Sequence, residues 1–183
     1  ALYMVIVPLF GIFLKRKLKI NIWAGVALGV VGLYFLSIKP GDFSVGTGEL
    51  VTILCSIAFA AHILVIDHFS PKVNGVKLAF TQFFVCGLIN LVWMIFDDVP
   101  SLSSVFACGA SIAYSGVMSC GVAYTLQIIG QKYTDPTSAS ILMSLESVFA
   151  TLSTVVLISL GWDLTGGLLT AREIAGCVFM FVA

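Results

Sequence analysis

Seven apolar stretches recur along the chain, at 1–14, 21–38, 50–66, 78–96, 105–130, 137–160 and 174–183, separated by short charged or Pro/Gly-rich connections. The five interior stretches reach the roughly 17 to 25 residues that a helix needs to cross about 30 Å of hydrocarbon. Within lipid every backbone N–H and C=O must be paired internally, which leaves only helices and closed barrels. A barrel strand would show about ten residues of alternating polarity, whereas positions 26–36 (VALGVVGLYFL) are apolar on every face. The expected fold is therefore all-α, a polytopic membrane helix bundle of about seven spans. No basic segment precedes the first stretch and no small-residue cleavage site follows it, so it does not read as a signal peptide. Both ends are expected to fall inside helices, making the chain a fragment truncated at either end.

Composition supports this reading. The 183 residues are 60% apolar and only 10% charged, with a mean hydropathy of +1.11, against about a quarter charged in soluble domains. Nine basic and nine acidic residues in so apolar a chain provide neither a solvated tail nor a basic stripe, which excludes disorder and nucleic-acid partners. The partner expected throughout is the lipid bilayer. Basic residues in short loops are retained on the cytoplasmic side. One side receives Lys15, Arg16, Lys17, Lys19, Lys72, Lys77 and Lys132, the other only Lys39 and Arg172. This predicts a multi-pass protein of the cell membrane with the loops around 15–20, 67–77 and 131–136 in the cytoplasm. Asp42, Glu49, Asp97, Asp98, Asp163 and Glu173 lean to the opposite side, with Asp67 and Asp135 inside. Trp23, Trp93 and Trp162 fall near the predicted interfaces, where amphipathic rings are favoured. Asp135-Pro136 reads as a cap followed by proline at the first helical position.

Cys55, Cys86, Cys108, Cys120 and Cys177 all lie within apolar spans with no C-x-x-C spacing. An odd set of thiols without ligand-like neighbours argues for small apolar filler over disulfides or zinc. Nucleotide loops, nucleophile elbows and haem or zinc motifs are absent from the sequence, so neither cofactor nor metal is expected.

What stands out is polarity inside the spans. Glu146 is the tenth residue of the 24-residue stretch 137–160, where an ionised carboxylate costs on the order of 3 kcal/mol. Its helical neighbours Ala139, Leu142, Met143, Phe149, Ala150 and Ser153 contain no cation. It reads either as a substrate or proton site or as a neutral acid hydrogen-bonded between helices. On the same stretch Ser140, Ser144, Ser147, Thr151 and Thr154 recur at helical spacing, centred about 120° from Glu146 at about 100° per residue. Such a line lets backbones approach and hydroxyls bond back to their own carbonyls. Gly25, Gly29 and Gly32 form a comparable close-contact face. Cys120, Tyr124, Gln127 and Gln131 line one face of the fifth stretch, and Gln82, Cys86, Asn90 and Trp93 a broader face of the fourth. These read equally as interhelical glue or as the lining of a cargo pathway. His62 shares its face with Cys55, Ala58, Phe59, Val65 and Ile66, so a polar partner must come from another helix. It reads as a satisfied neutral histidine or a proton relay.

An internal repeat relates the two ends. Leu2, Met4, Pro8, Leu9 and Phe10 align with Ile141, Met143, Ser147, Val148 and Phe149 at an offset of 139. Ala24-Gly25 then aligns with Ala175-Gly176 at an offset of 151. Equivalent helices are five spans apart, an odd number, so the copies have inverted topology. Duplicated, inverted membrane units are a signature of secondary transporters with a site at the repeat interface.

Several runs resemble a known family. ALYMVIVPLF at 1–10 with its basic turn, and WAGVALGVVGLYFL at 23–36, resemble the fourth and fifth helices of EamA-type proteins of the drug/metabolite transporter superfamily. HILVID at 62–67 is similar to the end of the sixth, AYTLQ at 123–127 to the eighth, SASILMSLESVFA at 138–150 to the ninth and LTAREIAG at 169–176 to the start of the tenth. The family commonly has Glu-Pro where Glu146-Ser147 stands here, and Gly-Glu where Gly167-Leu168 stands. The resemblance implies ten helices in two inverted five-helix repeats, with 1–38 ending the first, 39–49 connecting them and 50–183 forming the second. It further implies a carrier that moves a small-molecule substrate, a metabolite such as an amino acid or amphipathic compound, with export favoured and coupling to protons conceivable. In that reading Glu146, Tyr124, Gln127 and His62 form the substrate or proton site, Gln82, Asn90 and Gln131 line the cavity, and Gly25, Gly29, Gly32, Ser140, Ser144, Ser147 and Thr151 pack helices. The alternatives are a non-transporting scaffold or receptor and an intramembrane enzyme using Glu146 and His62.

Overall fold

A computed structural model describes residues 1–13, 20–37, 46–97, 99–161 and 170–183. Among them every regular element is helical, the all-α bundle that the apolar stretches require. The helices are α1 (Tyr3–Phe13), α2 (Ile20–Ser37), α3 (Thr47–Phe69), α4 (Gly75–Phe96), α5 (Leu102–Ala107) and α6 (Gly109–Tyr114), followed by a π-helix (Ser115–Ala123), then α7 (Tyr124–Gln131), α8 (Pro136–Ser144), α9 (Glu146–Ser159) and α10 (Ala171–Val182). The basic cluster Lys15 to Lys19, together with Lys39, Asp42, Asp98, Trp162, Asp163, Gly167 and Leu168, lies outside the described residues.

Among the described residues four helical stretches are long and apolar enough to cross a membrane, Thr47–Phe69, Gly75–Phe96, Gly109–Gln131 and Pro136–Ser159. The sequence suggested five such interior spans; the described part of the second apolar stretch is the shorter helix α2. The fifth stretch also differs from a single helix over 105–130. Ser101 caps α5 by accepting from the Ser104 N–H at 3.2 Å, and α5 ends at Cys108, where Gly109 weakens continuation. The membrane-length segment starts there and turns π-helical over Ser115–Ala123, the Tyr124 N–H bonding to the Ser119 carbonyl five residues back. The sixth stretch is likewise interrupted. Leu145 separates α8 from α9, its N–H turning to the Leu142 and Met143 carbonyls. No proline is needed for this break, because Ser144 and Ser147 direct their hydroxyls to the Ile141 and Ser144 carbonyls at 2.6 and 2.7 Å, a competition that bends helices. Caps explain most ends. Asn74 caps α4, Asp135 with Pro136 caps α8, and α9 closes on Gly161, whose φ of 84° favours glycine. α10 starts three residues before Ile174 because Thr170 and Glu173 form a capping box.

The chain divides into two compact units, residues 1–65 with 135–183, and residues 66–134. In the first, Tyr3, Val7, Ala60 and Ile63 form a core joined by Met143, drawing α1, α3 and α8 together. Its most extensive helix pair is α2 with α10, and glycines explain how close they come. A Cβ on Gly32 would stand 2.8 Å from the Gly176 carbonyl oxygen, one on Gly176 would stand 2.9 Å from that of Gly32, and one on Gly25 would stand 2.5 Å from that of Ala183. Contacts pairing 25 with 183 and 32 with 176 run in opposite directions, so the helices are antiparallel. Under the 151-residue offset Gly25 corresponds to Gly176 and Gly32 to Ala183. The two contacts are therefore one contact seen from either copy, as a two-fold axis demands. Arg172 ties one end of the pair, its guanidinium 5.2 Å from the Tyr34 ring and 5.6 Å from Phe35, with Nη2 donating to the Tyr34 carbonyl at 3.3 Å. A cation is favoured at the C-terminal end of α2, where the last carbonyls are exposed.

In the second unit Ile66, Ala79 and Ile128 form the core, with Leu78 and Phe83 packed on it. A Cβ on Gly75 would meet Ile129 Cγ1 at 3.1 Å, so α4 begins hard against α7.

Candidate functional site

In the first unit His62 and Glu146 are carried by elements that meet at one core. Ile63, beside His62, belongs to that core, and Met143, one turn before Glu146, packs against it. His62 is half-buried, its ring 5.7 Å from Phe59, which in turn lies 5.0 Å from Tyr3. Glu146 is the first residue of α9, directly after the interruption at Leu145, and its side chain is exposed. In the first turn of a helix the backbone dipole favours a carboxylate, so the break lowers the cost of a charge within a 24-residue membrane-length stretch.

The hydroxyl line faces elsewhere. Ser140 and Ser144 are buried while Ser147 and Thr151 are half-buried. Ser140 donates to the Thr137 carbonyl at 2.7 Å and Thr151 to that of Ser147 at 2.8 Å, as Ser144 and Ser147 do to theirs. Ser147 also reaches Met180 Sδ of α10 at 3.4 Å. Gly29 is less crowded than its neighbours in α2, its nearest contact being the flexible Met4 Sδ at 2.9 Å from an added Cβ.

In the second unit Tyr124 is half-buried edge-on to Phe83, the ring centroids 5.7 Å apart. Gln127 lies one turn further along α7, half-buried, with its Nε2 shielded and lacking a hydrogen-bond partner among the described residues. Gln131 is 4% exposed, and neither its Nε2 nor its Oε1 has a partner among the described residues. Gln82 is half-buried on α4. Asn90 is exposed and satisfied within its own helix, Nδ2 donating to the Cys86 carbonyl at 2.8 Å. Further along α4, an open groove lined by Leu88, Ile89, Val92, Trp93 and Phe96 is apolar throughout and offers no group to orient a cargo. Spacing does not single out Ser70, yet it is 1% exposed and its Oγ has no partner among the described residues. The available signal is that it continues the face of Ile63 and Ile66 at steps of three and four residues.

Among the described residues no three His, Cys, Asp or Glu side chains gather as metal ligands would. The first unit carries one carboxylate at a helix break and one half-buried imidazole; the second, described by itself, carries a run of uncharged amides. Such groups can hold and release a polar molecule or a proton.

Comparison with known proteins agrees with this architecture. Residues 46–183 match the model of the EamA-like transporter family. A protein of Archaeoglobus fulgidus described as an uncharacterized transporter is 30% identical over 165 residues, covering 86% of this chain. The chain spans 50% of that relative's length. No solved structure matches.

Proposed function

Because the chain belongs to the EamA-like transporter family and is an integral membrane protein, we propose that it carries a small metabolite, an amino acid or amphipathic compound, outward by alternating access between two inverted repeats. Residues 1–38 end the first repeat, 39–49 connect and 50–183 form the second. The observation that carries this reading is the reciprocal contact between α2 and α10. Gly25 meets Ala183 as Gly32 meets Gly176, the relation expected of inverted copies meeting on a two-fold axis, about which two bundles can rock. The loops bearing Lys72, Lys77 and Lys132 face the cytoplasm of a cell-membrane protein, in keeping with retention of basic loops. The reading is of a carrier and not of an enzyme.

Glu146 serves as the cargo or proton contact, with His62 in the same unit, and Tyr124, Gln127, Gln131, Gln82 and Asn90 line the path. A carboxylate at a helix break can be charged when it faces water or a cationic group and protonated when it does not, which couples its occupancy to a proton. The test is flux of labelled amino acids in proteoliposomes holding the full-length protein. Removing one charged hydrogen-bond contact should cut flux by about tenfold or more in Glu146→Gln, with loss of its pH dependence. Unchanged flux and pH profile would remove Glu146 from the site.

A further inference from the structure

The second unit buries polar atoms that its own helices leave without hydrogen bonds. Ser70 is 1% exposed and Gln131 4%. Ser70 Oγ, Gln131 Nε2, Gln131 Oε1 and Gln127 Nε2 have no partner among the described residues. They belong to one end of the unit. Ile66 and Ile128 share a core cluster; Ser70 lies one turn beyond Ile66, its N–H bonded to the Ile66 carbonyl at 2.7 Å, and Gln131 lies three residues beyond Ile128. Gly75, at the start of α4, faces Ile128 and Ile129, so the turn 70–74 is held beside the end of α7. This is the end that carries Lys72, Lys77 and Lys132.

We propose that Ser70 and Gln131, with Gln127 one turn deeper, form an uncharged binding site for ordered water, a hydrated track entering the second unit from its lysine-bearing end. The inventory fits water and little else. The hydroxyl both donates and accepts, the Gln131 amide offers two N–H groups and an oxygen, and Gln127 contributes further donors. Water donates and accepts in equal number and is held in protein interiors by two to four such partners. An ion would require a fixed counter-charge, and the unpartnered atoms all belong to neutral groups. A dry amide at this depth would be among the costliest arrangements a helix bundle can keep. Because Tyr124 and Cys120 continue the same face of the span, the track points from the basic end toward the middle of the membrane-length segment. The test needs no cargo and stands whether or not Glu146 takes part in transport.

Ser70→Cys, Gln131→Cys and Ile66→Cys are compared in membrane vesicles carrying the full-length protein with its native cysteines replaced by alanine. The probe is 2-aminoethyl methanethiosulfonate, and labelling is followed by mass. Only the thiolate reacts, and each unit by which dry surroundings raise a thiol pKa lowers the thiolate fraction about tenfold. Ile66, 2% exposed in the adjoining apolar core, is the dry control. Labelling at Ser70→Cys and Gln131→Cys at least about tenfold faster than at Ile66→Cys supports the site; equally slow labelling at all three overturns it. Melting of Gln131→Leu decides independently of the cysteine variants. If water joins Gln131 to Ser70, the leucine strands a buried hydroxyl and lowers the melting temperature by about 3 °C. A raised melting temperature shows that the amide was dry and unsatisfied and overturns the proposal.

Discussion

The hydroxyl face of the first unit and the glutamine face of the second treat polar side chains in opposite ways. In the first, Ser140, Ser144, Ser147 and Thr151 each turn back onto a carbonyl three or four residues earlier in the chain, so each hydroxyl has its acceptor within the same stretch. In the second, Gln127 and Gln131 leave shielded amide atoms without partners. Side-chain length makes the difference. A hydroxyl one bond from Cβ reaches the carbonyl three or four residues back, and Asn90, one methylene shorter than glutamine, does the same with Cys86. A glutamine amide reaches past that carbonyl and presents two donors and two acceptor lone pairs to whatever lies beyond. A serine face in a membrane helix is therefore a packing surface, whereas a glutamine face calls for something polar to meet it.

If the first unit is built for close packing, its most sensitive point is the antiparallel glycine seam. In Gly32→Leu the new side chain would drive into Met180 Cγ and the Gly176 carbonyl, 2.5 and 2.8 Å from an added Cβ. Backbone cannot yield as a side-chain tip can, so α2 and α10 must separate, at a cost of about 3 kcal/mol. Thermal unfolding in detergent should show this as the largest loss among single substitutions in α2. Gly29→Ala is the internal control, since the flexible tip of Met4 can move aside. An equal loss at both positions would show that the seam does not depend on glycine-to-glycine approach.

Although its pairing with α10 was not, the glycine spacing on α2 was legible in the letters of the chain. So was the all-α bundle, since apolar runs of membrane length admit little else. Helix interruptions were not. The break at Leu145 goes with serine hydroxyls competing for backbone carbonyls and that at Cys108 with Gly109, and neither these nor the π-helix over Ser115–Ala123 registers in hydropathy. Their faint signals are Gly109, Gly116 and Gly121 in the fifth stretch and the serines flanking Leu145 in the sixth. Glu146 stood out from the sequence as a charge in mid-span, but its place in the first turn of a helix did not. Ser70 passed unnoticed because burial in the second unit, not residue type, makes it unusual. The start of α10 is legible in the sequence, Thr170 and Glu173 being a recognisable capping box. Thr170→Ala should cost about 1 kcal/mol by leaving the Glu173 N–H without its acceptor. Melting of the purified protein checks this, and a loss below about 0.3 kcal/mol would place the start of α10 under the control of the Arg172 contact with Tyr34 and Phe35 instead of the cap.

The smallest expected effect bears most directly on the contrast between the units. Ser140 is fully buried, and for a buried polar residue in a membrane helix the usual expectation is interhelical glue, whose removal costs about 1 to 2 kcal/mol in model peptides. Its hydroxyl, however, is already spent on the Thr137 carbonyl at 2.7 Å, and alanine keeps the small volume that lets α8 approach its neighbours. Ser140→Ala should therefore change stability by about 0.5 kcal/mol or less. Ser140→Val, which keeps no hydroxyl and adds bulk, should cost more, because the constraint at this position is size. A loss above about 1 kcal/mol in the alanine variant, read from unfolding in detergent, would mean that the hydroxyl bonds across helices after all. The hydroxyl line and the glutamine face would then serve the same purpose.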